Sequence, residues 1–155
     1  MAKLQLYGMK RGNKIKNRIF ELRIPPHIFS WLSGDCQVDT NQTSGVITTP
    51  NYPNDYPNYM ECLWTIQLHP AMQITLECDD IALEYEKDCP FDFMEILAGP
   101  SPDSPVLGRY CGVLNYSLTF EREGNMSIRF ESDPDKEFGG FRCAYNVFKG
   151  QFEDT

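Results

Sequence analysis

Turn-forming clusters recur so closely along this 155-residue chain that long helices find no room between them. TTPNYPNDYPNY (48–59), LHPAM (68–72), AGPSPDSP (98–105), EREGN (121–125) and SDPDKEFGG (132–140) all carry Pro or Gly, residues that preset or permit turn dihedrals and interrupt helices. The segments between them alternate with a period of two. In MQITLEC, Met72, Ile74, Leu76 and Cys78 share one face, with Gln73, Thr75 and Glu77 on the other; NMSIRFE and FRCAYNVF turn Met126, Ile128 and Phe130, then Phe141, Cys143, Tyr145 and Val147, to a single side. This is the pattern of half-buried strands, and many short strands without helical intervals imply an all-β sandwich of two sheets.

Charge is unevenly distributed. Residues 1–35 hold seven Lys or Arg against two acids, whereas the remainder holds seven against twenty. The acidic body repels phosphate backbones, so nucleic acid is not an expected partner, and cationic proteins or metals are favoured. Residues 1–35 show no sustained period and read as a basic extension, disordered or foreign to the domain, able at most to touch heparin-like polyanions; residues 150–155 read as a tail. The start has no uninterrupted apolar core of a signal peptide, because Glu21, Arg23, Pro25, Pro26 and His27 break the best candidate. No stretch is long enough to span a membrane, so membrane contact is not expected through this domain.

Six cysteines without zinc spacing, and only His27 and His69 as histidines, point to disulfides and hence to an oxidising, extracellular setting. Sequons at Asn41 (NQT), Asn115 (NYS) and Asn125 (NMS) agree with that setting and are candidate glycosylation sites.

From Cys36 to about residue 149 the chain resembles the CUB domain family. The resemblance rests on GVITTPNYPNDYPNYMECLWTI, LEYEKDCPFDFMEI, GRYCG and SIRFESDPDKEFGGFRCAY, occurring in that order. It implies a disulfide-stapled, jelly-roll-like sandwich of two antiparallel sheets that serves as an extracellular binding module. It also implies bonds Cys36–Cys62 and Cys89–Cys111. Cys78 and Cys143 are extra to the family's four cysteines; both lie on inward faces by strand parity, and a bond between them would bridge the core as sandwich disulfides do. Trp64 shares parity with Cys62 and Ile66 and is expected in the core. Tyr52 is expected to pack.

The acidic run at Leu83–Ile96 acquires a meaning from the same resemblance. Part of the family holds Ca2+ on three acids that fall on Glu84, Asp92 and Asp133 here, with the hydroxyl at Tyr56 orienting an acid. Carboxylates are good ligands for a hard cation that takes six to eight oxygens. The 134–137 loop would complete the shell, although Pro134 and Lys136 stand where small polar residues are commoner in the family. Three clustered carboxylates repel one another; one Ca2+ would reduce −3 to −1 and leave a pocket for a second cation. By resemblance that visitor is a lysine, or another basic side chain, of a partner protein, gripped by Tyr56, Glu84 and Asp133. Glu86, Asp88, Asp79 and Asp80 receive no role. An EF-hand beginning at Asp133 fails, with Phe138 where Gly is needed and Ala144 where the bidentate Glu belongs.

Catalysis is not expected. His69 precedes Pro70 in a turn, no HExxH or nucleophile elbow occurs, and strand parity sends Asp92 and Glu95, the nearest approach to a glycosidase dyad, to opposite faces. Two other readings stand beside the calcium-dependent module: a non-catalytic targeting module of a larger secreted protease, and a single-module glycan- or heparin-binding protein, whose relatives often lack the calcium acids.

Overall fold

The computed structural model describes residues 35–150. The extension expected before Cys36 lies outside the described residues except for Asp35, as does the tail after Gly150. Ten strands follow in order: β1 (Asp35–Thr40), β2 (Ser44–Thr48), β3 (Glu61–Ile66), β4 (Met72–Ala82), β5 (Phe93–Leu97), β6 (Val106–Tyr110), β7 (Val113–Leu114), β8 (Leu118–Glu123), β9 (Met126–Glu131) and β10 (Gly140–Lys149). One sheet runs β1-β3-β9-β5-β6; the other runs β2-β10-β4-β7, with β8 also paired to β4.

The two-layer sandwich expected from the alternation is therefore present, with one difference in strand direction. β1 and β3 pair in parallel, whereas every other ladder is antiparallel. The intervening β2 belongs to the opposite sheet, so the chain crosses over and returns alongside β1 in the same direction, the kind of connection parallel pairing requires.

The faces predicted from parity meet in the core. Ile74, Leu76 and Cys78 of β4, Met126, Ile128 and Phe130 of β9, and Phe141 and Cys143 of β10 are fully buried, and each large apolar side chain stabilises the fold by about 1.5–3 kcal/mol. Trp64 is in the core, edge-on to Phe141 at 5.9 Å. Phe141 meets Phe130 at 5.8 Å and Phe130 meets Tyr56 at 5.1 Å, so a chain of edge-to-face contacts runs through both sheets to the residue that begins the candidate site.

All six cysteines are bonded: Cys36 with Cys62, Cys78 with Cys143, and Cys89 with Cys111. The Cys78–Cys143 bond does not bridge the two layers. The register places the two residues directly opposite each other on β4 and β10, adjacent strands of one sheet, so both side chains leave on the same core-facing side and bond along the sheet. Closing 65 residues of sequence, it is worth about 4 kcal/mol in the chain-entropy model, against roughly 3.5 kcal/mol for each shorter loop.

Candidate functional site

Three connecting segments converge beside Tyr56: the stretch between β2 and β3, the acidic stretch between β4 and β5, and the loop between β9 and β10. Backbone and short polar groups fix them to one another. The Tyr56 amide donates to the Phe138 carbonyl at 2.9 Å and the Tyr59 amide to the Asp133 carbonyl at 3.1 Å. Asn58 Nδ2 donates to the Pro134 carbonyl at 3.0 Å. Ser132 Oγ donates to the Pro57 carbonyl at 2.8 Å and accepts the Met60 amide at 3.0 Å.

The acidic segment is pinned from its other side. Leu83 donates to the Gly112 carbonyl at 3.0 Å, and Gly112 donates back to the Glu84 carbonyl at 3.2 Å. Gly112 has φ +81°, and a Cβ there would lie 3.1 Å from the Tyr85 ring, so this turn requires glycine. The neighbouring Cys89–Cys111 bond holds the same segment covalently.

The consequence is a convergence of carboxylates from distant parts of the sequence. One oxygen each of Glu84, Asp92 and Asp133 lies within 4.8 Å of the others. Asp92 is 1% exposed and Glu84 5%, while Asp133 is half-buried. The Tyr56 hydroxyl donates to Asp92 Oδ2 at 2.6 Å and accepts the Glu84 amide at 3.2 Å, so one buried group positions two of the three acids. Asp92 Oδ1 accepts the Asp133 amide at 2.7 Å, and Asp133 Oδ1 accepts the Asp135 amide at 2.9 Å.

The electrostatics are those of a site short of positive charge. Burial raises the Asp92 carboxyl above the ordinary aspartate range; the hydrogen bonds from Tyr56 and the Asp133 amide oppose the shift, and the Asp133 and Glu84 charges add to it. Burial, and then its bond to Asp92, push the Tyr56 hydroxyl well above its usual range, so it remains a donor at any physiological pH. Glu84 Oε2 is buried with no hydrogen-bond partner, a costly state for a carboxylate oxygen. Its other oxygen meets the Lys136 ammonium at 3.0 Å. Oxygens within 4.8 Å of one another can share one ion, since a cation with bonds of about 2.4 Å reaches that far across its diameter. The convergence of carboxylates and the orphaned oxygen together suit a single hard cation.

Other acids singled out in the sequence lie elsewhere. Glu86 and Asp88 are exposed. Asp79 pairs with Arg142 at 3.2 Å. Tyr52, expected to pack, is half-buried, and its hydroxyl donates to Asp80 Oδ2. Glu95 is held in ion pairs by Arg109 at 2.8 Å and Arg129 at 3.4 Å; Arg109 also lies 3.4 Å over the Phe93 ring. Asn41 and Asn115 are exposed, whereas Asn125 is half-buried with its Oδ1 accepting the Leu68 amide at 2.8 Å. Asn58 and Ser132, which carry the third segment, escaped sequence reasoning because neither belongs to a charge or hydrophobic pattern. The Lys136–Glu84 pair escaped it as well; the only signal was a lysine where the family favours small polar residues.

The family model described as CUB domain matches residues 36–145. Among curated relatives, Tolloid-like protein 1 of Mus musculus is 35% identical over 113 residues, covering 73% of this chain and 11% of that protein. Cubilin of Rattus norvegicus is 31% identical over 123 residues, covering 77% of this chain and 3% of that protein. The chain thus spans only a small part of these relatives. A solved structure described as the MASP-1 CUB2 domain bound to Ca2+ is 33% identical, with a TM-score of 0.61, covering 70% of this chain and 96% of that one.

Proposed function

The chain belongs to the CUB domain family, and from that premise we propose that it is an extracellular, calcium-dependent protein-interaction module that grips a basic side chain, foremost a lysine, of a partner protein. One observation carries the reading: Glu84, Asp92 and Asp133 bring oxygens within 4.8 Å of one another while Glu84 Oε2 stays buried and unpartnered. The likeness to a domain described as bound to Ca2+ supports it.

Glu84, Asp92 and Asp133 would hold the ion, and calcium would supply two positive charges that tie the three connecting segments together. Tyr56 orients Asp92 and the Glu84 backbone. Asp133, and Glu84 through Oε1, would keep negative charge within reach of an ammonium group, as the Lys136 ammonium reaches Glu84 Oε1 at 3.0 Å. The role assigned to the domain is binding, with no catalytic residue. Three disulfides and exposed sequons at Asn41 and Asn115 support the extracellular setting.

Isothermal calorimetry with calcium chloride tests the reading. The protein is expected to take up one ion, and Glu84→Gln and Asp133→Asn are each expected to weaken uptake at least about tenfold, since even residues behind metal ligands cost that much. Equal uptake by all three proteins, or none by the wild type, would overturn it.

A further inference from the structure

The calcium-lysine reading leaves one charge unaccounted for. Lys136 lies in the same β9–β10 loop as Asp133, and its ammonium sits 3.0 Å from Glu84 Oε1, with its side chain 64% exposed and that of Glu84 only 6%. Three carboxylates and one calcium ion leave a net charge of −1; Lys136 in place brings the site to zero.

Resting on the calcium-lysine reading, we infer that Lys136 is a tethered stand-in for the partner's lysine: an intramolecular competitor that caps Glu84 and must swing out before a partner's ammonium can enter. With Lys136 docked, the loaded site offers an approaching cation no net attraction. With Lys136 released, the same site is attractive again. Release is easy, because most of the lysine side chain already faces water, where its ammonium is readily rehydrated. The competitor therefore raises the threshold for weak partners without closing the site. A partner that presents several basic groups, and so a high local concentration of ammonium, displaces Lys136 more readily than an isolated lysine does, with the same fractional loss of affinity to the competitor.

The capped fraction sets the magnitude. Apparent affinity falls in proportion to the competent population, and a site left open in roughly one molecule in five loses about fivefold, the scale of a pair with one solvent-facing partner. The contrast with Lys87 isolates the effect. Lys87 is exposed on the acidic segment itself, and its pairing with Glu84 is not among the ion pairs of the described residues.

The experiment measures binding of the full chain to immobilised poly-L-lysine, in calcium and in chelator, for wild type, Lys136→Met, Lys136→Arg and Lys87→Met. Lys136→Met is expected to bind about fivefold tighter, Lys136→Arg to match wild type, and Lys87→Met to gain much less than Lys136→Met despite the same change in net charge. Equal gains in the two methionine variants, or no gain in Lys136→Met, would overturn the competitor. A calcium titration of wild type judges the underlying reading separately: without calcium uptake that reading falls, while the Lys136–Lys87 contrast in chelator still decides whether Lys136 caps Glu84.

Discussion

Replacing Tyr56 by phenylalanine removes one oxygen and keeps the ring, so its edge-to-face contact with Phe130 at 5.1 Å survives while two hydrogen bonds disappear. Asp92 Oδ2 loses its 2.6 Å donor and the Glu84 amide loses its acceptor at 3.2 Å, both within a buried site. A buried polar group left unsatisfied costs about 1–3 kcal/mol, so the pair predicts a loss of about 3 kcal/mol. For a domain of this size, that is a fall of roughly 12 °C in the unfolding midpoint. Circular dichroism melting in chelator, which removes any metal contribution, reads the change directly. A second consequence has a definite sign. The Tyr56 hydroxyl holds the Asp92 carboxyl lower than burial alone would, so in Tyr56→Phe that carboxyl should titrate still higher, as seen by carbon-13 NMR. A loss below about 0.5 kcal/mol, the range of ordinary surface substitutions, or a downward move of Asp92 would refute the claim that Tyr56 organises the site.

Without calcium, the burial-driven rise of Asp92 means that the folded state holds a proton the unfolded chain has already released. Stability should fall as pH rises from the unfolded aspartate value near 3.9 through the raised folded value, and Asp92→Asn should flatten that slope in urea titrations at stepped pH. The double variant Cys78→Ala/Cys143→Ala should lose about 4 kcal/mol by chemical denaturation, and a loss under 1 kcal/mol would show that strand pairing alone does the work of the bond. On secretion from mammalian cells, Asn41→Gln and Asn115→Gln should each remove one glycan step in mass. Asn125→Gln should instead lower the unfolding midpoint, because Asn125 holds the Leu68 amide at 2.8 Å.

What could be read without coordinates was local or carried by the family pattern. The strand faces around Ile74, Ile128 and Phe141 follow from a period of two that each segment states by itself. The acids at Glu84, Asp92 and Asp133 stood out only because residues far apart matched a known pattern. Asn58 and Ser132, which fasten the third segment, carry no such mark.

The sequence by itself determined the class of fold and the inward faces, because alternation and turn chemistry are short-range properties of the chain; the three acids became a set only through the family pattern. Tertiary structure alone decided that β1 runs parallel to β3, that Cys78 and Cys143 bond along one sheet, and that Lys136 reaches Glu84. Each depends on which distant segments become neighbours and in what register, and that is settled by how two whole sheets bury their faces together, which no single segment records.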